Sequence, residues 1–234
     1  MRWFENNTDK VVDLLLSHVW LSVVPIVLGF VIAVPIGWYA NRHPRVRGVL
    51  LTMAGVLYTV PSLALFLILP SIIGTGFLDP LNVVVALTMY AVAIMARSAS
   101  DAFGSVSPGV LDAATAAGFA PAGRAFQVEL PLAGPVLVAG LRVVAVSTVS
   151  LVSVGALTGV NNLGSLFTEG YRTDNDAEIL VGVIGIVALA LVFDGLIVLA
   201  GRLLLPWSRS SRSTTRSPVS PIMSFAQHLR GGRV

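Results

Sequence analysis

Residues 112–131 read Asp-Ala-Ala-Thr-Ala-Ala-Gly-Phe-Ala-Pro-Ala-Gly-Arg-Ala-Phe-Gln-Val-Glu-Leu-Pro, with a long apolar segment on either side. Alanine is the best helix former, so Leu111–Phe119 predicts a short helix. Pro108 suits its first turn, where a missing N–H costs nothing. Pro121 and Gly123 break the chain. Arg124–Leu130 then predicts a second short helix, stopped or kinked at Pro131 because proline disfavours helical backbone in the residue before it. Two short helices joined by a turn make a compact knob.

The surrounding chain belongs in a membrane. Of 234 residues, 55% are hydrophobic and 12% charged, against about a quarter charged in a soluble domain. Several apolar runs reach the roughly 20 residues that span a bilayer core. The runs are continuous and do not alternate apolar with polar, which argues against a barrel. The absence of cysteine excludes disulfides, thiolate catalysis and Cys-based metal sites. His18, His43 and His228 lie far apart, so no metal constellation is visible. Glu5, Asp9, Lys10 and Asp13 precede the first apolar run, which is not a signal-peptide layout.

Five spans are expected, at roughly 18–40, 48–73 (containing Pro61), 81–100, Pro131 to about Gly159, and 179–205. Trp20 and Trp38 stand near the two ends of the first span, about 27 Å apart along a helix, as interfacial aromatics do. The division is an extracytoplasmic segment 1–17, a transmembrane domain 18–206 with its loop 101–130, and a basic tail 207–234 expected to be disordered, whose Ser/Arg/Thr/Pro-rich stretch 208–221 has arginines able to rest on anionic lipid. Loop 41–48 carries Arg42, Arg45 and Arg47 with no acid, and segment 201–234 carries six arginines with no acid. Loop 160–178 instead holds Glu169, Asp174, Asp176 and Glu178 against Arg172. The basic side stays inside, so the N-terminus is expected outside and the C-terminus and 101–130 in the cytoplasm. The positive charge follows this topology, and a nucleic-acid partner has little support.

Asp112-Ala113-Ala114, then Gly118 after three residues, then Val128-Glu129-Leu130-Pro131 after nine more, closely resembles the "EAA" loop of ABC-transporter permeases. Asp112 stands where that family has Glu, and Val128 where it has Ile. The resemblance implies an all-α polytopic membrane protein of the type I ABC importer (MetI-like) permease fold, five helices, N-out and C-in. It implies further that the loop docks into a groove of a separate ATPase subunit through Asp112, Ala113, Ala114, Gly118, Phe119 and Arg124. Gly118 would allow close approach of knob and groove, and Asp112 would either cap the short helix or pair with a basic residue of the ATPase. The implied partners are ABC ATPase subunits, a second permease (identical or homologous) and an extracytoplasmic substrate-binding protein. ATP and Mg would belong to the ATPase, with no cofactor in this chain.

Tyr58-Thr59-Val60-Pro61-Ser62-Leu63-Ala64-Leu65, Glu129–Arg142 and Gly159-Val160-Asn161-Asn162-Leu163-Gly164 resemble the permeases that import glycine betaine, carnitine, choline or proline, although asparagines replace two glycines usual in the last stretch. A quaternary ammonium donates no hydrogen bond, so aromatic faces are its natural partners. Tyr58, Ser62, Tyr90, Ser147 and Ser150 are therefore candidates to line a path. Packing tyrosines and hydroxyls that join helices are the alternative reading. An importer of methionine or another small polar solute is the runner-up.

Intramembrane charges are costly and mark function by default. Arg97 stands near a cytoplasmic end, within snorkelling reach of water. Arg142 lies 11 residues after Pro131 and Asp194 lies 12 before Pro206, which puts both about 16–18 Å from the same end. They are expected as an intramembrane ion pair, with a place on the permeation path, or unpaired exposure to water, as alternatives. Lys10 is the only lysine, so the chain has no P-loop and cannot hydrolyse ATP by that mechanism. An ion-coupled carrier would lean on Asp194 as its only buried acid, and an intramembrane enzyme lacks a convergent constellation.

Overall fold

The computed structural model describes residues 2–208. The expected disordered tail falls almost wholly on 209–234, outside the described residues. Within them the chain is helical, with no β-strand. Its elements are α1 (Arg2–Asn6), α2 (Thr8–Arg42), α3 (Pro44–Thr59), α4 (Ser62–Ile73), α5 (Pro80–Gly104), α6 (Pro108–Ala116), α7 (Pro121–Arg124), α8 (Leu130–Val152), α9 (Ser165–Arg172) and α10 (Asp176–Leu204). A π-helical turn, Ala125–Glu129, joins α7 to α8, and a 3-10 turn, Ser153–Thr158, follows α8.

Among the described residues, four helical stretches are long and apolar enough to cross a membrane: α2, α5, the run from Pro121 to Thr158, and α10. The second expected span is not one rod. It is α3 and α4, bent by 101° at a short break. Val60 and Pro61 are extended there, because proline disfavours helical backbone at the preceding residue. The hydroxyl of Tyr90 donates to the Val60 carbonyl that the break leaves free. Counting the bent pair as one span gives five.

Cross-links fix the direction of each helix. Arg47 of α3 bonds Asp101 of α5, and Val60 meets Tyr90, so α3 runs antiparallel to α5. Arg142 of α8 meets Asp194 of α10, and Trp207, just past α10, donates to the Pro131 carbonyl at the start of α8. The knob therefore shares one end of the bundle with the end of α10. Lys10, near the start of α2, bonds Glu169 and Glu178 at the opposite end.

The core forms where α2 and α5 lie closest. Gly29, Ala33, Gly37 and Ala40 share one face of α2 at a spacing of three or four residues, and all are buried. Cβ atoms built on Gly29 and Gly37 would strike Ala91 and Ala99 of α5. Small residues at such spacing let helix backbones approach in a membrane, where packing rather than water exclusion holds helices together. Ala33, Ala91, Ala96, Ala99 and Ala102 are fully buried at this seam, and Ala133, Leu137, Val144 and Ala145 of α8 close its other side.

The helix of the first span, α2, starts ten residues before the expected span, at Thr8. Its polar start is tolerated because Lys10 donates to Glu169 at 2.6 Å and to Glu178 at 2.9 Å, the latter almost fully buried.

Candidate functional site

The knob is presented by a helix–turn–helix. Ser107 precedes α6 and Pro108 opens it, leaving Asp112 mid-helix, in the fifth position. Asp112 therefore does not cap the helix, and the structure corrects that alternative. It is exposed, with no ion pair among the described residues. Ala113, Gly118 and Phe119 are exposed too, while Ala114 turns inward and is buried. The helix closes at Gly118, whose φ of +85° few side chains accept. The Gly118 N–H donates to the Thr115 carbonyl and the Phe119 N–H to that of Ala114, bonds that close a helix through a left-handed residue. A Cβ on Gly118 would meet nothing within 4 Å, so within this chain the glycine serves the turn and leaves an open surface.

The second half of the knob is not the separate helix expected over Arg124–Leu130. Four residues of α7 pass through the π turn directly into α8, and Pro131 sits in the first turn of that helix, where proline is harmless.

Behind the exposed face lies a charged joint that no local sequence signal marks. Glu129 is 5% exposed. Its Oε1 accepts from Arg42 Nη2 at 2.6 Å and from Arg124 Nε at 3.0 Å, and its Oε2 accepts from Trp38 Nε1 at 2.9 Å. Arg124 Nη1 donates to Thr115 Oγ1 at 2.8 Å, reaching back to α6. The Arg42 guanidinium lies 3.9 Å above the Trp38 ring, a cation–π contact that holds it in place. Both oxygens of this carboxylate have N–H donors, two of them charged, as a buried carboxylate requires.

The second constellation lies in the membrane. Arg142 Nε and Nη2 donate to the two oxygens of Asp194 at 2.6 and 2.8 Å, a bidentate fork. The pair is open on one side, with 45% of the Arg142 and 26% of the Asp194 side chain exposed. Both line a cleft of about 370 Å³ with Ala139, Val143, Val146 and Ser147. A larger cleft of about 840 Å³ continues toward the knob end between α8 and α10, past Pro135, Val138 and Gly201. Ser150 is exposed further along α8 and donates to the Val146 carbonyl.

The other path candidates do not meet there. Tyr58 is 61% exposed on α3, Ser62 opens α4 half-buried, and neither lines the cleft. Tyr90 is 4% exposed, its hydroxyl engaged by Val60. Arg97 is exposed on α5, with no ion pair among the described residues. No group of three or more His, Asp or Glu fit to hold a metal occurs among the described residues.

Among the described residues, then, four or five membrane spans (five with the bent pair counted as one) carry an exposed helix–turn–helix between α5 and α8, and the family of the chain gives that architecture its role. Residues 25–210 match the family of the binding-protein-dependent transport system inner membrane component, and the chain belongs to that family. It is an ABC-importer permease, and its family is not itself catalytic. It is 31% identical over 195 residues to the osmoprotectant import permease protein OsmW of Salmonella typhimurium, covering 82% of this chain and 90% of that one. It is 26% identical over 206 residues to the choline transport system permease protein OpuBB of Bacillus subtilis, covering 88% and 94%. Its fold is similar to an inward-facing structure of the MetNI methionine ABC transporter, with a TM-score of 0.71 and 23% identity over 86% of this chain and 97% of that one.

Proposed function

We propose that this chain is the channel subunit of an ATP-driven importer for a compatible solute: glycine betaine, choline, carnitine or proline. The observation that carries the reading is the knob. Asp112, Ala113, Gly118 and Phe119 form an exposed surface at one end of the bundle, with the family's spacing and at the end where the arginine-rich loop 41–48 lies. A separate ATPase subunit docks there from the cytoplasm and supplies ATP hydrolysis with its own Mg. A second permease, identical or homologous, completes the path, and an extracytoplasmic binding protein delivers the solute to the end that holds Lys10, Glu169 and Glu178. Closure of the ATPases moves the knobs and switches the path between outward- and inward-open states.

The solute assignment rests on the osmoprotectant and choline relatives and on chemistry. Tyr58 offers an exposed aromatic face to a cation without N–H donors. Ser62, Ser147 and Ser150 add hydroxyls, and Tyr90 shapes the path by holding the break in the second span. The test is uptake of labelled glycine betaine, choline, carnitine, proline and methionine in cells lacking other importers, with copurification of the chain. A P-loop ATPase should copurify, and at least one quaternary amine should enter. Methionine uptake alone would overturn the solute reading and leave the permease reading intact.

A further inference from the structure

We infer that Glu129, Arg42, Trp38 and Arg124 form a positioning cluster that makes the knob and the adjoining end of α2 move as one piece, so that force from the ATPase reaches the helix core. The inference rests on the proposed coupling to an ATPase and adds the residues that transmit it.

The knob alone is a poor lever. α6 buries only Ala114 and α7 buries nothing. Covalently, the pair hangs between the end of α5 and the start of α8. A push on such a surface deflects it unless a strut resists. The structure supplies one. Arg124 spans from Thr115 in α6 to Glu129, and Glu129 passes the tie to Arg42 and Trp38 in α2. The two arginines come from residues 87 and 5 positions away in sequence, so one carboxylate ties α2 to the knob.

Burial makes the tie stiff. At 5% exposure Glu129 has little water to exchange for its partners, and charge-assisted bonds strengthen where solvent is excluded. The π turn sets the aim. Its one extra residue rotates the helix beyond it by about 100° relative to an uninterrupted helix, and Glu129 closes that turn. From α2 the path onward is the close seam with α5, where Gly37 lies against Ala99 and Ser100. That seam leaves no room for α2 to shift without α5.

A staple that only stabilises the fold would also use these contacts, so the test must read coupling. The permease is studied with its ATPase and loaded binding protein in vesicles, with solute moved per ATP hydrolysed as the first readout. Glu129→Gln keeps the shape and an acceptor for Trp38 but removes the charge shared by the arginines. The variant complex should assemble and hydrolyse ATP, while solute moved per ATP falls roughly tenfold, within the usual range for coupled sites. Arg42→Lys, which keeps the charge but loses the planar fork and the stack, should fall between Glu129→Gln and wild type. The second readout leaves the cluster unaltered. Spin labels at positions 39, in the last turns of α2, and 122, in α7, of this cysteine-free chain should keep one narrow distance distribution with and without ATP. Wild-type solute-per-ATP in Glu129→Gln, or a distance in the intact cluster that changes by about one helical turn, ~5 Å, would overturn the inference. If Glu129→Gln fails to assemble, that distance still decides. If the wild-type complex shows no ATP-dependent uptake, the functional reading fails instead.

Discussion

α5 and α3 are neighbours with opposite burial. α5 buries 14 of its 25 residues, and α3 buries none of its 16. α5 is gripped by α2 on one side and α8 on the other, through alanine and glycine faces. α3 touches α5 near Arg47 and ends at a 101° bend, with Met53, Val56 and Tyr58 each more than 60% exposed. Close packing is thus concentrated beside the knob, where the coupling proposed above has displacement carried. The broken span keeps most of its surface uncovered within this chain.

The largest effect is expected at the seam. Gly37→Leu forces a branched side chain where even a Cβ would clash with Ala99 and the Ser100 backbone. Overpacking of this kind costs about 1–3 kcal/mol or more, and the monodisperse yield after detergent extraction should collapse. In the matched change on the open helix, Gly55→Leu, the added Cβ meets nothing within 4 Å, and the yield should stay near wild type. Equal losses would show that α3 is packed as tightly as α5.

At the knob, Gly118→Trp should abolish uptake while the permease still inserts, because the bulk fills the face offered to the ATPase. The left-handed backbone adds a cost of about 1–2 kcal/mol for any side chain, so Gly118→Ala is the control for the turn itself and should retain most uptake. Normal uptake by Gly118→Trp would remove the docking role of that position.

The bundle is largely legible in the sequence because lipid imposes long apolar runs and loop arginines fix their direction. The knob is legible because Pro108, the alanines and Gly118 are local signals. The Glu129 joint is not, since Trp38, Arg42 and Thr115 reach it only through tertiary structure and a π turn leaves no compositional mark. Asp112 reads as a possible cap if the alanine run alone marks the helix, whereas the helix opens four residues earlier at Pro108, whose fitness for a first turn is itself legible. Pro61 announces a break but not its angle, and Lys10 hides the true start of α2 because its acidic partners lie about 160 residues on.

The pair in the α8–α10 cleft sits between the two regimes, bonded yet open. Arg142→Ala and Asp194→Ala should each lower the melting temperature of the detergent-purified protein, since each strands the other charge. The double variant should lose less than the sum of the singles. Strict additivity would mean that the bidentate contact has no energetic coupling in the membrane. The smallest effect belongs to Tyr90→Phe. It removes one hydrogen bond to Val60, worth about 1 kcal/mol, and should loosen the bend between α3 and α4 more than it changes overall stability, as read by amide exchange at residues 58–60 and 62. Unchanged exchange there would mean that Pro61 alone holds the break.

The decisive measurement uses sealed vesicles containing the permease with its ATPase and binding protein, supplied with ATP on the ATPase side or left without it, and with proton and sodium gradients collapsed by ionophores. Labelled glycine betaine or choline should accumulate only in the vesicles supplied with ATP, and collapsing the gradients should not stop it. Accumulation without ATP that disappears with the gradients would make the chain an ion-coupled carrier and contradict its assignment as an ATP-driven importer.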